Sequence, residues 1–458
     1  MQDPPFRSAG TRETRHHWIS SLVGPADSRS TDISFYDTSV KAWIDRRLHS
    51  DAIVRIREGL GVAVVAVGIA GGLIGAAYVG ALHLLQRVLA PEHHTSLTQF
   101  AILVAVGAAV AGITKVWGET GNVELLVDNI HVLGGAEDVT TLRPLIPASL
   151  LCVAAGAGMG PEAPLVQTTG AAGTVVGTRL HRSRTDIRIL TITGMAAGFT
   201  VLFGAPLGSA LFALEILHRR GLQYYEALLP AVLGSLCGYA VYLGLSGLGV
   251  APVWQFPPVG ELHVGDLGVA AALGLIGAVG AAVFAAITHA IRWAYGATPT
   301  SVRYVAGGVL LGLLGWWSPY ALTFGEQQLA GLLDVKLAAG ALGVALAAKL
   351  LGTTVTLASG WKGGFIIPLF FMGAAFGQLA HLALPVINES VLMACAMVAL
   401  CVGVTKTPLG TTLVVTEMAG LPLLPVLLIA AVVAILVTNR VTLIETQRER
   451  PTEPRTDT

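Results

Sequence analysis

Long apolar segments alternate with short polar ones along most of the chain after its first fifty residues. A helix needs about 20 consecutive apolar residues to cross the hydrocarbon core of a bilayer. Several segments reach that length, whereas others are shorter or interrupted by Gly and Pro, which is typical of helices that end inside a membrane and form ion sites. The pattern predicts an all-α polytopic membrane protein with broken helices. The apolar segments are residues 59–89, 98–116, 143–159, 187–217, 225–249, 265–293, 303–316, 337–358, 364–384, 391–404 and 409–438.

Two short motifs recur in the same order in the two halves of the chain. Pro206–Glu215 and Pro408–Glu417 share the pattern Pro-Leu-Gly-x-x-Leu-x-x-x-Glu at a spacing of 202 residues. At a spacing of 204 residues, Gly160, Pro164 and Gly173 return as Gly364, Pro368 and Gly377. Two copies of one membrane unit with broken helices at equivalent positions predict a pseudo-symmetric transporter whose site lies between the copies. We expect the first repeat at 59–249 and the second at 265–438.

The composition agrees with a membrane protein and excludes several other classes. Of 458 residues, 53% are hydrophobic and 12% are charged, whereas soluble domains carry about 25% charged residues. Glycine accounts for 55 residues, which suits close packing of helices in lipid. Basic and acidic residues balance at 28 each, so no charge excess predicts a nucleic-acid partner. The four cysteines lie in apolar segments without metal-ligand spacing, so we predict small core residues and neither metal nor cofactor.

One carboxylate, Glu162, lies between two prolines inside the glycine-rich segment Gly156–Gly170. A carboxylate at hydrocarbon depth is costly, so it indicates a functional site. In the motifs Gly160–Pro164 and Gly364–Pro368, the proline stands where a helix can begin without losing a needed N–H group. Helix starts attract anions through free N–H groups and the positive end of the helix dipole. Two such starts that face each other would form an anion site made of backbone.

An ionised glutamate at such a place imitates a bound anion, and a protonated one can leave. Glu162 is therefore predicted to be the gate of an anion pathway and a proton carrier, with a hydrogen-bonded structural role as the alternative. A third turn, Gly118–Glu124, offers the Thr120 hydroxyl and local N–H groups as further donors. Lys362 and Lys406 either raise the positive potential near the pathway or extend their ammonium groups to the membrane interface.

These motifs resemble those of the CLC family of chloride channels and chloride/proton antiporters. Gly160–Pro164 is similar to the family's G(K/R)EGP, and Gly364–Pro368 is similar to its GxFxP. Ala205–Glu215 and Thr407–Glu417 are similar to the family's paired APLxGxLFxxE helices. The resemblance extends along most of residues 55–447, and the order and spacing of the motifs together are specific to the family.

The resemblance implies a CLC-type fold of two inverted repeats that meet at the ion site, in a homodimer with one anion pathway per subunit. We expect a polar cytoplasmic segment at 1–50, the transmembrane domain at 51–447 and a polar tail at 448–458. Such a chain would be a divergent prokaryotic-type member without CBS domains, in the cell (inner) membrane. Residues 39–57 are predicted to form an amphipathic helix on the membrane surface.

The resemblance also implies a set of anion-binding positions. The family's gating glutamate corresponds to Glu162. The backbone amides of Phe365 and Ile366 would face the anion. The family's GSGIP turn corresponds to Gly118–Val123, which keeps one hydroxyl and one glycine but loses Ile-Pro. The position of the family's central tyrosine corresponds to Ile444, so an inner hydroxyl ligand is absent. The implied anion-binding residues are Thr120, Gly121, Glu162, Phe365, Ile366 and Ile444.

The predicted proton pathway is incomplete. Proton-coupled members of the family usually carry a second glutamate directly after the position of Glu215, where this chain has Ile216. An aliphatic side chain cannot relay a proton, so we expect coupling to be weakened or absent, with Glu162, Glu215 and Ile216 as the positions concerned. Glu215 and Glu417 are instead predicted to hold helix ends.

These observations predict transport of chloride and similar monovalent anions across the bilayer through a glutamate-gated pathway. A fluoride-selective exporter is the alternative, because some fluoride-transporting relatives also depart from GSGIP, lack the central tyrosine and have altered gating motifs. An intramembrane enzyme that uses Glu162 as an acid or base is a remote alternative, because the sequence has no HExxH, no GxSxG and no His/Asp cluster to accompany it.

Overall fold

The chain forms α-helices and no β-strand in the part that the structure describes, which confirms the predicted all-α class. The predictions for the segment at 1–50, the surface helix at 39–57 and the tail at 448–458 lie outside that part. All described residues belong to the compact unit Ala52–Thr458. The computed structural model describes residues 59–121, 123–132, 134–135, 139–219, 222–250, 253–444 and 446–447.

The helices of the described residues fall into two sets of eight, and each helix of the first set has a counterpart at the same place in the second. This correspondence agrees with the predicted pseudo-symmetric repeats. The first set is α1 (Gly61–Leu89), α2 (Ser96–Trp117), α3 (Val123–Val132), α4 (Val139–Ala154), α5 (Glu162–Arg179), α6 (Arg184–Phe203), α7 (Pro206–Glu215) and α8 (Leu228–Ser246). The second set is α9 (Val264–Tyr295), α10 (Thr300–Trp317), α11 (Glu326–Asp334), α12 (Ala339–Ala358), α13 (Ile366–Ala383), α14 (Glu389–Thr405), α15 (Pro408–Ala419) and α16 (Leu424–Val437).

Seven of the described helices are long and apolar enough to cross a membrane, namely α1, α2, α6, α8, α9, α12 and α13. The remaining helices are shorter or less apolar. The chain is thus a multi-pass membrane protein in which helices long enough to span are interspersed with shorter or less apolar ones. Broken helices of this kind were predicted from the interrupted apolar segments.

Sharp breaks precede the two helices that carry the Pro-Leu-Gly motif. Gly204 ends α6 in the left-handed conformation with φ 63°, and Pro206 begins α7. Lys406 ends α14 in the same conformation with φ 64°, and Pro408 begins α15. A left-handed residue ends a helix, and proline suits a helix start because it has no N–H group to lose there. The apolar segment 187–217 therefore holds two helices.

Two helices, α3 and α11, were absent from the predicted apolar segments. They have ten and nine residues, respectively, and the described part of α3 buries Leu126, Val127 and Ile130. In α11, Leu329 and Leu332 are buried whereas Gln327 is exposed. A search for continuous apolar segments overlooks a short amphipathic helix, because its polar face interrupts the segment.

The two repeats are joined by a reciprocal pair of helix caps. Glu215, at the end of α7, accepts hydrogen bonds from the N–H groups of Leu409 and Gly410 at 3.2 and 2.7 Å, in the first turn of α15. Glu417, near the end of α15, accepts one from the N–H group of Gly208 at 2.5 Å, in the first turn of α7. Each carboxylate satisfies N–H groups that have no partner within their own helix. Each glutamate thus caps the start of a helix that belongs to the opposite repeat, as predicted. Because the end of each helix lies against the start of the other, α7 and α15 run antiparallel.

Glycines bring these two helices into direct backbone contact. A Cβ atom at Gly410 would overlap the backbone of Phe212, and one at Gly208 would overlap the backbone of Val414. Small residues at helix crossings are the usual means of close packing in membranes, where apolar burial does not drive helix association.

We expect Gly410→Ala to lower stability by about 1–3 kcal/mol, because the added methyl group forces the two helices apart. The apparent melting temperature of purified protein in detergent measures this effect. Gly343→Ala in α12 is the matched control, since no atom lies within 4 Å of the added methyl position. The control should be neutral or slightly stabilising, as alanine favours helix more than glycine does. Equal melting temperatures for the two variants would contradict the close contact.

Candidate functional site

The two glycine-containing motifs meet through an antiparallel backbone pair. The N–H group of Gly160 donates to the carbonyl of Gly364 at 2.7 Å, and the N–H group of Gly364 donates to the carbonyl of Gly160 at 2.6 Å. Helix α5 begins two residues after the first glycine, and α13 begins two residues after the second. The pairing therefore brings the starts of two helices from different repeats to one point.

The motif prolines lie slightly further into these helices than expected. Pro164 and Pro368 are the third residues of α5 and α13 rather than the first. The first four N–H groups of a helix have no partner within it, so proline costs no hydrogen bond at the third position either. The helix starts are therefore compatible with both prolines.

Glu162 is the first residue of α5, and its side chain crosses to the other repeat. It is 0% exposed, and its Oε1 accepts a hydrogen bond from the N–H group of Ile367, in the first turn of α13, at 2.7 Å. Its Oε2 is also buried and has no hydrogen-bond partner among the described residues. The carboxylate thus occupies the start of the facing helix, where free N–H groups and the helix dipole stabilise negative charge.

A cavity of about 140 Å³ lies beside the first turn of α5 and contains several of the predicted anion-binding residues. Two cationic side chains line it, and no acidic residue lines it among the described residues. We call it the basic cavity. Its lining includes Gly121, Ala163, Arg292, Lys362, Phe365 and Ile444.

Arg292 was not selected from the sequence. It lies in the last turn of α9, and only the fold carries that turn to the cavity. Lys362 also lines the cavity, and its ammonium nitrogen lies 5.7 Å from the centre of the Tyr304 ring. Lys406 is not in the lining of the basic cavity, and its side chain is buried in the protein. It is 2% exposed, and its ammonium group donates to the carbonyls of Gly403 and Thr438 at 2.6 and 2.7 Å.

The turn that precedes α3 places a hydroxyl group without a partner next to the basic cavity. Thr120 stands directly before Gly121, which lines that cavity. The Thr120 hydroxyl oxygen is buried and has no hydrogen-bond partner among the described residues. A buried hydroxyl that is otherwise unsatisfied is free to donate to a bound anion.

Ile216 lies in a different place from the basic cavity. It lines a gap of about 30 Å³ together with Phe199, Ala163, Gly364 and Ile366, and every lining residue of this gap is apolar or glycine. Glu215, its neighbour, is 1% exposed and is engaged in the cap of α15. Among the described residues, no titratable side chain lines this gap between Ile216 and the paired motifs.

Comparison with known proteins identifies the family of this chain. Residues 133–439 match the family model described as voltage gated chloride channel. A chloride/fluoride channel protein of Pseudomonas syringae pv. tomato is 28% identical over 348 residues, which are 72% of this chain and 73% of the relative.

Two solved structures have the same fold. A CLC-type fluoride/proton antiporter has a TM-score of 0.72 and 20% identity, with 85% of this chain and 98% of that chain covered. A slow cyanobacterial Cl⁻/H⁺ antiporter has a TM-score of 0.70 and 21% identity, with 81% and 93% covered. The likeness to these two structures shows the fold alone, because the sequence identities are low. The family model matches well over half of the sequence and therefore shows the family. The chain belongs to the CLC family of voltage gated chloride channels and transporters, which move anions across membranes.

Proposed function

We propose that this protein transports chloride and similar monovalent anions and that Glu162 is its gate. The hydrogen bond from the N–H group of Ile367 to Glu162 Oε1, at 2.7 Å, is the observation that carries the proposal. An ionised carboxylate at this helix start occupies the place that an anion would take. Once protonated, the side chain loses its charge and with it most of its attraction to the helix start, so a permeant anion displaces it.

Anions reach the gate through the basic cavity. Arg292 and Lys362 give this cavity a positive potential, which raises the local anion concentration. Hydrogen-bond donors come from the Thr120 hydroxyl and the backbone amides of Phe365 and Ile366. Since Ile444 offers no hydroxyl, cations and backbone amides take a larger share of anion binding than they would beside a tyrosine.

Proton coupling is weak or absent in this proposal. Among the described residues, no side chain that accepts a proton lines the apolar gap between Ile216 and the paired glycines. A proton that reaches Glu162 therefore has no route through this gap to the other side. The same proposal places the chain as a homodimer in the cell (inner) membrane, where the apolar outer faces of its helices contact lipid or the second subunit.

Fluoride export is the second candidate. The observation that favours it is the aliphatic Ile444 in the basic cavity, where a hydroxyl ligand for chloride would stand. The chloride/fluoride channel protein of Pseudomonas syringae carries both ions in its name, which supports testing both.

We expect Glu162→Gln to abolish the pH dependence of anion flux in liposomes. Wild-type flux should rise as pH falls, because protonation releases the gate, whereas glutamine is neutral at every pH and holds the gate in its released form. Glu261→Gln, at an exposed position, is the control and should keep the wild-type pH profile. A full pH response in Glu162→Gln would exclude Glu162 as the gate.

Arg292→Gln should lower anion flux several-fold at low ionic strength, because the basic cavity loses part of its positive potential. The loss should shrink near 1 M salt, where charges are screened over about 3 Å. Arg87→Gln is the control: this arginine occupies the corresponding last turn of α1 but is exposed. Equal flux in the two variants at low salt would count against the basic cavity as the anion route.

Liposome efflux of chloride, nitrate and fluoride with simultaneous proton recording should separate the remaining alternatives. We expect chloride and nitrate to leave faster than fluoride, without uphill proton movement in a chloride gradient. Uphill proton movement at a fixed stoichiometry would refute the claim that the apolar gap prevents coupling. Faster fluoride than chloride efflux would replace the leading function by the second candidate.

A further inference from the structure

Gln167 is a buried polar residue that neither the gate nor the exchanged helix caps use. It is the sixth residue of α5, five residues after Glu162, and it is 4% exposed. Five residues correspond to about 140° around an α-helix, so Gln167 and Glu162 lie on different faces of α5. Ala163 and Pro164, four and three residues before Gln167, share its face, and all three residues line the basic cavity. Gln167 is therefore the polar residue that α5 contributes to the lining of this cavity.

The side-chain amide of Gln167 differs from those of the other buried glutamines in its hydrogen bonding. Within the described part of the chain, the Gln167 side chain forms no hydrogen bond. A buried polar group normally has a partner, because an unpaired one loses the hydrogen bonds that it made with water. The other buried glutamines each donate amide N–H groups to backbone carbonyls: Gln99 to Ala155, Gln378 to Leu332 and Val335, and Gln447 to Ile216 and Thr405.

The equivalent position in the second repeat shows that this place in the helix does not itself require an amide. At the 204-residue spacing that relates the two motifs, Gln167 corresponds to Phe371 of α13. The Phe371 ring is 0% exposed and stacks on the ring of Tyr320, with ring centroids 5.9 Å apart. One repeat thus fills this position by aromatic packing, whereas the other presents an amide at the wall of a cavity. A ligand that accepts the amide N–H accounts for this difference.

The surroundings of the amide favour an anion as that ligand. Arg292 and Lys362 line the same cavity, and no acidic residue lines it among the described residues. The buried Thr120 hydroxyl, which has no partner within the described part of the chain, stands next to Gly121 in the lining. A water molecule occupies about 10–15 Å³ on the scale on which this cavity measures about 140 Å³. A monovalent anion therefore fits there together with several water molecules.

We propose that Gln167 is an anion-binding residue of the basic cavity and that its amide selects weakly hydrated monovalent anions, such as chloride and nitrate, over fluoride. The amide N–H donates to the anion and replaces a water molecule of its hydration shell. The inference rests on the proposed route of anions through the basic cavity and adds a side-chain ligand to that route.

A neutral amide donor discriminates between anions through their hydration. An ion that enters a selective site exchanges part of its water shell for fixed ligands of the protein. Fluoride is small and binds water more strongly than chloride or nitrate, so the same N–H group compensates a smaller share of what fluoride loses. Since Ile444 offers no hydroxyl to this cavity, the Gln167 amide supplies a neutral side-chain donor in its place.

Gln167→Met tests the proposal on the full chain, purified in detergent with gluconate as the background anion. Methionine is unbranched and flexible and fills a similar volume, but it has no N–H donor. Chloride and nitrate should bind about tenfold more weakly to the variant, because a hydrogen bond to a charged ligand is lost. The affinity for fluoride should change less, so the preference for chloride over fluoride should fall. Titration calorimetry with the three sodium salts measures these affinities.

Gln378→Met is the matched control, because Gln378 is equally buried on the equivalent helix α13 but bonded to the backbone. Its amide donates to the carbonyls of Leu332 and Val335 at 2.9 and 3.1 Å. In gluconate, Gln378→Met should lower the apparent melting temperature, because these carbonyls lose their donor. Gln167→Met should leave that temperature unchanged or raise it, because an unpaired buried amide is removed.

The effect of added chloride on the melting temperature separates the two glutamines further. An anion that binds only the folded protein raises the melting temperature according to its affinity. Chloride should therefore stabilise Gln378→Met as much as wild type and stabilise Gln167→Met less. A glutamine that only supports the fold would show the opposite pattern, with a lower melting temperature in gluconate and an unchanged response to chloride.

Three results would overturn the inference while the proposed anion route stands, provided that Arg292→Gln lowers flux at low ionic strength. The first is wild-type affinity for chloride and nitrate in Gln167→Met. The second is the pattern of a merely structural glutamine in the melting experiment. The third is an equal loss of affinity for chloride, nitrate and fluoride, which would refute the selectivity assigned to the amide. If Arg292→Gln also leaves flux unchanged, the basic cavity itself is refuted as the anion route.

Discussion

The pairing of Gly160 with Gly364 is the constraint on which the rest of this structure depends. Two hydrogen bonds hold the motifs together, and each helix begins two residues later, so both helix starts are fixed relative to each other. A Cβ atom at Gly364 would collide with Glu162 and with the backbone of Ala163. The absence of side chains at the pair thus leaves the volume in which the glutamate reaches the opposite helix.

The scaffold is symmetric, whereas its charges are not. The basic cavity lies at the start of α3, and a second cavity of about 180 Å³ lies at the start of α11. Arg292 and Lys362 line the first cavity, whereas Glu92 and Glu326 line the second. Equivalent helix starts thus border cavities whose side-chain charges are opposite.

The parts of the site that were predictable have local signals in the sequence. Glu162 stood out because a carboxylate between prolines in an apolar segment is costly, and the facing motif followed from the repeat spacing. Arg292 and Glu326 have no such signal, because each stands at the end of an ordinary helix and only the fold shows which cavity that end reaches. The short helices α3 and α11 were missed for a related reason, since their polar faces interrupt the apolar pattern.

The exchanged caps at Glu215 and Glu417 make each half of the chain incomplete without the other. The N–H group of Gly208 at the start of α7 donates to Glu417, which lies more than two hundred residues later in the chain. The N–H groups at the start of α15 donate to Glu215, in a helix that is synthesised earlier. Exposed to lipid without that acceptor, each group would lose a hydrogen bond that water cannot replace. A half-sized ancestor of this chain would therefore have needed a second copy of itself to satisfy its own backbone.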